Sequence, residues 1–415
     1  MRLVPLLFLL AAGMLAAGPV QAQALCQEGR VTVAGTTYAC SRVDLLAHVP
    51  LERMRSGGGN DIWGWTDPLD GREYALAGTR SGTAFVDVTD PTAPRVLGKL
   101  PTATTNSTWR DIKVYRDHAF VVSEAPGHGL QVFDLTRLRG LDEDDFRDFA
   151  PDLVFHGPPG NTLGSAHNIA INEDTGFAYV VGARAQVGTA PACNTGLYMI
   201  DIRDPRAPHF AGCFSEDGYT HDVQCVAYAG PDARYAGREI CFASNEDTVT
   251  IVDVTDKAAP RMLYRLAYPT PAYTHQGWLT EDQRYFIAND ELDEQNIGFP
   301  GTRTLFFDVA DLENPSFLFA HFNAENTIDH NLYVRGGYAY LSNYESGLRI
   351  LDVSGLPDPA SVREVGFFDT YPQSTTIAFN GQWSNYPYFP SGNVVAQDIN
   401  NGLFVLRPNL DRPTP

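Results

Sequence analysis

Positive charge is scarce in this 415-residue sequence: 30 Lys and Arg stand against 50 Asp and Glu, a formal net charge of −20. Nucleic acid affinity comes largely from Lys and Arg neutralising phosphates, so a nucleic acid partner is excluded. Beyond the N-terminus no stretch is apolar enough for a transmembrane span, and none is expected. There is no G-x-S-x-G, H-E-x-x-H, P-loop or paired C-x-x-C motif, and the run Gly57–Gly59 does not lead into a helix. Nucleophilic and nucleotide chemistry therefore have no support. Helical periodicity is also missing, which excludes a solenoid of helices.

Among what is present, "MRLVPLLFLLAAGMLAAGPVQAQA" has a lone Arg2, an apolar run too short for a comfortable span, and small residues at Ala22 and Ala24. It reads as a cleaved secretory signal over residues 1–24, and the mature protein is expected to be secreted or periplasmic. Leu25 before Cys26 is a poor match to the small residue of a lipoprotein signal, and the end "RPNLDRPTP" carries no tail anchor, so residues 411–415 are expected to be a disordered tail. Export permits disulfides among Cys26, Cys40, Cys193, Cys213, Cys225 and Cys241. Of the fifteen possible connectivities, the repeat register favours sequential neighbours.

Those repeats are the strongest signal. One strand recurs as "GTAFVDVTD" at 82, "GLQVFDLTR" at 129, "GLYMIDIRD" at 196, "TVTIVDVTD" at 248, "RTLFFDVAD" at 303, "GLRILDVSG" at 347 and "GLFVLRPNL" at 402. Six copies keep an aspartate in one place (Asp87, Asp134, Asp201, Asp253, Asp308, Asp352), whereas the seventh has Arg407. Apolar, β-branched runs bounded by Gly, Pro and Asp are strand and turn chemistry, and a period of about 40–50 residues suits a four-stranded propeller blade. The expected fold is all-β, a seven-bladed β-propeller of antiparallel blades over residues 25–410. The seventh unit has three strands of its own, and "VDLLAHVP" at 43–50 resembles an outer strand, so the N-terminal strand is expected to close the last blade and remove the exposed edges.

The "LVIVD"-like strands, with "GNDIWGWTDPLDGREYAL", "GCFSEDGYTHDVQC", "SNEDTVTIVDVTDK" and "WSNYPYFPSGN", resemble the LVIVD-repeat secreted proteins of the choice-of-anchor B family. The resemblance spans nearly the whole mature chain and implies a propeller and export, without a settled activity. Members carry assorted C-terminal sorting tails, which this chain does not show.

Aligned on the innermost strand, the blades read "NDIWG", "RDIKV", "HNIAI", "HDVQC", "HQGWL", "HNLYV" and "WSNYP". Asn60, Arg110, His167, His221, His275, His330 and Trp383 then share one position, and the four histidines are spaced by 54, 54 and 55 residues. Innermost strands surround the channel, so these histidines are expected to gather at its mouth as ligands of a transition-metal ion of unspecified identity. The second strand returns to the same face and ends in Glu124, Glu246 and Asp290, which are expected to ligate or to orient the imidazoles. His128, in "APGHGLQ", reaches the same face, and Arg110 suggests an anionic group beside the metal.

Other residues take structural roles. The six repeated aspartates are assigned to turns, and His48, His118, His156, His209 and His321 fall outside the register. "NDELDEQN" at 289–296 lacks the spacing of a recognised calcium loop and reads as a solvated acidic loop, with calcium as the weaker alternative. Two functions remain: an exported, monomeric propeller binding a metal or a small polar or anionic ligand, with metal-assisted chemistry as one outcome, or a cell-envelope scaffold for extracellular protein or glycan.

Overall fold

The computed structural model describes residues 23–185 and 190–410. Of the expected leader only residues 23 and 24 fall within that range, and the expected tail 411–415 lies outside it. Seven sheets carry the described chain, each built on four antiparallel strands in propeller order, and two of them take on further strands, one being Arg147–Asp148, which pairs parallel with Arg95–Pro101. Their innermost strands are Gly59–Thr66, Arg110–Tyr115, Asn168–Asn172, Asp222–Ala227, Thr274–Leu279, Asn331–Arg335 and Gln382–Tyr386, here blades 1 to 7. Each lies against the next, and the seventh against the first, so the ring is closed. The expected seven-bladed propeller is the observed fold.

Closure comes from the N-terminal strand. Val43–Val49 pairs with the third strand of blade 7, Gly402–Pro408, from Val43 opposite Pro408 to Val49 opposite Leu403. Before it, the hairpin Arg30–Val33 and Thr36–Ser41 extends blade 6 through Cys40 opposite Phe368. The cysteines are joined neighbour to neighbour, Cys26–Cys40, Cys193–Cys213 and Cys225–Cys241.

Blades stack face to face, so their middle strands are covered on both sides. Hence Gly82–Asp87 and Glu239–Ser244 are buried throughout, whereas the outer strand Arg261–Leu266 is partly exposed. A strand covered on both faces needs no apolar–polar alternation, which is why the repeats read as continuous apolar runs. Aromatic rings fill the seams between blades: Phe85 on Phe133 at 4.7 Å and Phe242 on Phe286 at 5.4 Å. Truncating such a ring to alanine costs about 3–5 kcal/mol. The repeated aspartates end these strands in turns, each accepting from the amide two residues on (Thr89, Thr136, Arg203, Thr255, Ala310 and Ser354).

Polar side chains on the inner strands stitch each blade to the next. Asp61 accepts from the Ile112 amide, Asp111 from Ile169, Gln224 from Leu279 and Gln276 from Leu332, while Asn168 donates to the His221 carbonyl and Asn331 to that of Trp383. These bonds satisfy inner-strand groups that no sheet neighbour reaches, and they fix how the blades present the channel face.

Candidate functional site

The four in-register histidines meet around the channel. Ring centroids are 4.2 Å apart from His167 to His221, 4.0 Å from His221 to His275, and 4.3 Å from His275 to His330. Three of these residues stand immediately before their inner strands, and His275 is the second residue of its own. Room for His167 is made at Gly182, where φ is +59° and a Cβ would come within 2.7 Å of the His167 Cβ.

The following blade sets the tautomer of His221 and of His330. His221 Nδ1 lies 2.9 Å from the His275 carbonyl oxygen, and His330 Nδ1 lies 2.6 Å from that of Trp383. A carbonyl only accepts, so both Nδ1 atoms carry the proton and both Nε2 atoms keep a lone pair. His167 Nδ1 donates to Glu124 Oε1 at 2.7 Å. Burial and neighbouring imidazoles hold His221 and His275 well below the ordinary histidine range, and burial takes His330 down to about 3. His221, His275 and His330 are therefore uncharged near neutrality.

The carboxylate that faces it is Glu291. Its Oε2 is 3.7 Å from His275 Nε2 and its Oε1 is 3.7 Å from His330 Nε2, and ligand atoms of all three residues lie within 4.8 Å of one another. Burial pushes the Glu291 carboxyl up to about 7, opposed by the Tyr344 hydroxyl, which donates to Oε1 at 2.7 Å.

Asp290, expected in this role, is directed elsewhere: it accepts from Tyr268, from the amides of Ala272 and Tyr273, and from Arg303. The cause is a β-bulge. In blade 5, Thr274 pairs with Asp290 and Gln276 with Asn289, leaving His275 as the extra residue. Blade 4 pairs Asp222 with Ser244, and blade 6 pairs Asn331 with Ser342. Counting two residues onward from the partner of each His-plus-one residue, Glu246, Glu291 and Tyr344 become equivalent. Glu124 takes the same place in blade 2, where Asp111 pairs with Val122.

The other expected residues scatter. Glu246 shares the face, with its carboxylate held by Tyr273. Arg110 is buried, its Nη1 3.1 Å from His128 Nε2 and its Nε donating to the Thr79 carbonyl. The pair is an internal contact, so Arg110 does not offer itself to an anion. Burial, then Arg110, takes His128 down to about 4. Asn60 donates to the Thr108 carbonyl, and Trp383 sets its ring edge-on to His330 at 5.0 Å.

Two further regions complete the channel. Above the arc a cavity of about 640 Å³ is lined by Gly57–Gly59, Arg80, Trp109, Phe379, Trp383, Glu291 and Tyr344. Below it lies a charged knot: Lys113 Nζ is 2.5 Å from Asp111 and 3.6 Å from Asp61, with Asp222 beside them in the same constriction. Burial pushes Asp222 up to about 7. Nothing in the sequence marked Lys113, but its place three residues after Arg110 on an inner strand is a positional signal.

Residues 330–370 match the LVIVD repeat. The match covers blade 6, including His330, Tyr344 and the strand "GLRILDVSG". No curated protein matches the chain. Among solved structures, the β-propeller domain of Cps50 (Swd1) from Myceliophteria thermophila is 13% identical, covers 85% of this chain and 96% of its own, and has a TM-score of 0.52. Hydrazine synthase from Kuenenia stuttgartiensis is also 13% identical, covering 82% and 94% with a TM-score of 0.55. At such identity the likeness concerns the fold alone.

Proposed function

We propose that the protein is an exported propeller that binds a divalent transition-metal ion at the channel mouth through His275, His330 and Glu291. The observation that carries this reading is the convergence of one ligand atom each from His275, His330 and Glu291 within 4.8 Å. Two neutral imidazoles with one carboxylate suit zinc or ferrous iron better than a hard cation, and such a set leaves coordination positions open. Glu291 also lines the cavity above, so a small polar ligand entering there reaches the open positions. Bound metal would act as a Lewis acid on that ligand. The three disulfides support export into an oxidising compartment, and no helix among the described residues is long and apolar enough to cross a membrane.

A second reading draws on Trp109 and Phe379, 44% and 46% exposed at the cavity rim. Exposed aromatics there favour a scaffold that docks extracellular protein or glycan. Elemental analysis of protein purified without a His-tag separates the two. About one equivalent of transition metal, lost in the His275→Ala/His330→Ala variant without unfolding, is the expected result. Absence of metal from unmutated, metal-reconstituted protein would overturn the first reading in favour of the scaffold.

A further inference from the structure

The acidic loop at 289–296 is not solvated, contrary to the expectation from its composition: Asp290, Asp293 and Glu294 are buried, and Arg303 donates to Asp290 and Asp293. Carboxylates open to a ligand stand elsewhere, at the far end of the channel. Past the charged knot of Lys113 the channel widens into a second cavity of about 350 Å³, within the size range of small-molecule sites. Its walls come from one register. The residue three places past the histidine position is aromatic in four blades: Trp63 after Asn60, Trp278 after His275, Tyr333 after His330 and Tyr386 after Trp383. With Tyr388, these rings line the cavity. They stand edge to face, at 72° between Trp63 and Tyr333, 72° between Trp278 and Tyr333 and 73° between Tyr386 and Tyr388, with centroids 5.6, 5.0 and 5.5 Å apart. Such walls turn in different directions, like the sides of a box. Gly64 makes room for one of them, since any Cβ there would collide with the Tyr386 ring.

The polar groups of the lining divide in two. Its glutamine amides are committed: Gln224 accepts from the Leu279 amide, Gln276 bonds the Leu332 backbone through both ends, and Gln283 accepts from the Ala229 amide. Its carboxylates are not. Asp222 at the floor, and Glu173 and Asp174 exposed at the rim, form no ion pair among the described residues, because Lys113, the one cation of the lining, pairs with Asp111 and Asp61. Lys113 also shows what the rings accept, with its Nζ 4.6 Å from the Trp63 ring centroid. An aromatic face attracts a cation through its quadrupole, and carboxylates that lack a cation of their own add to the attraction. We propose that this cavity binds a methylated organic ammonium ion, the trimethylammonium group of a small free molecule of the choline class. Sugar hydroxyls call for free amides, which this lining has committed. A trimethylammonium group has no N–H to satisfy and is held by aromatic faces and nearby negative charge alone. No side chain of the imidazole site takes part, so the inference stands apart from the metal reading.

The test is calorimetric titration of the full mature chain with choline, which should bind saturably and shift the tryptophan fluorescence in parallel. The uncharged carbon analogue of choline, in which a tert-butyl group replaces trimethylammonium, should bind at least about tenfold more weakly, and so should ethanolamine. These comparisons on wild type need no variant to fold. Phosphocholine separates a free cation from a lipid headgroup: its phosphate is repelled by Glu173 and Asp174, so it should bind more weakly than choline. Trp278→Leu should weaken choline binding at least about fivefold, and Glu173→Gln about twofold at low salt, an effect that added salt removes. The His275→Ala/His330→Ala variant should bind choline as wild type does, whatever becomes of its metal. No saturable choline binding below about 10 mM, equal binding of the uncharged analogue, tighter binding of ethanolamine or phosphocholine, or loss of choline binding with the imidazoles would each overturn the inference.

Discussion

His221 and Asp222 are neighbours in sequence, yet the layers of the channel they enter are built in opposite ways. The upper layer is an arc of four imidazoles, of which burial holds His221, His275 and His330 uncharged, with His275 and His330 facing a carboxyl that burial has lifted to about 7. The lower layer is three aspartates with a cation supplied by the chain itself, Lys113. Depth and solvent are similar; the difference is whether positive charge comes with the fold or from outside. A layer that carries its own cation is closed to metal, and a layer that lacks one is open to it.

The comparison breaks most visibly at Lys113. Lys113→Met leaves Asp111 buried and unpaired and should cost about 3–5 kcal/mol, read as a fall in urea midpoint; unchanged stability would mean that the lower layer needs no cation. Next in size, the metal-dependent part of stability, about 2.7 kcal/mol at metal one hundred times its Kd, should vanish in His275→Ala/His330→Ala. Lys113→Met should retain it. Denaturation with and without added Zn²⁺ measures both.

A smaller effect sharpens the contrast through pH. The Glu291 carboxyl binds its proton below about 7, so a metal must displace that proton, and affinity should fall about tenfold per pH unit, ~1.4 kcal/mol, below this value. His330, held down to about 3, adds no proton competition over that span. Metal titrations between pH 5 and 8 should show the decline in wild type and not in Glu291→Gln; a decline that survives the substitution would mean that the imidazoles do titrate. In the metal-free protein the lowered His330 contributes stability above the ordinary histidine value of 6.5, and that contribution is lost as pH falls from there toward 3. Smallest, Tyr344→Phe removes the hydroxyl donated to Glu291 and should weaken metal binding about fivefold, ~1 kcal/mol, by calorimetry.

Blade number, closure by residues 43–50 and the shared position of the four histidines were legible because each rests on a repeated strand. The carboxylates were legible where the strands pair without interruption. Glu124 and Glu246 end their second strands at the position the alignment gives them, and so does Tyr344. The alignment slips at Asp290, one residue short of Glu291, and blade 5 is where a bulge inserts an extra residue at His275. Blade 7 has the same bulge between Gln382 and Ser384, where Gln382 pairs with Asp398 and Ser384 with Gln397. An extra residue in one strand of a pair leaves no mark in a list of similar segments. The acidic loop was misread for a different reason: composition says that "NDELDEQN" is charged, but the partner that draws it inward, Arg303, lies on the following strand. Arg110 shares the histidine position, yet its longer side chain reaches His128 instead of the channel.

The pairing of Val43 with Pro408 also orders events in time. During synthesis the strand that seals the ring emerges near the start, and its partner appears hundreds of residues later. Until then blades 1 to 6 can each form from their own contiguous segments, while the segment 43–49 must wait with its edge unpaired. Closing so large a loop adds little entropy beyond that of a shorter one, about 0.6 kcal/mol per doubling, so the delay is set by translation, not by the free energy of closure.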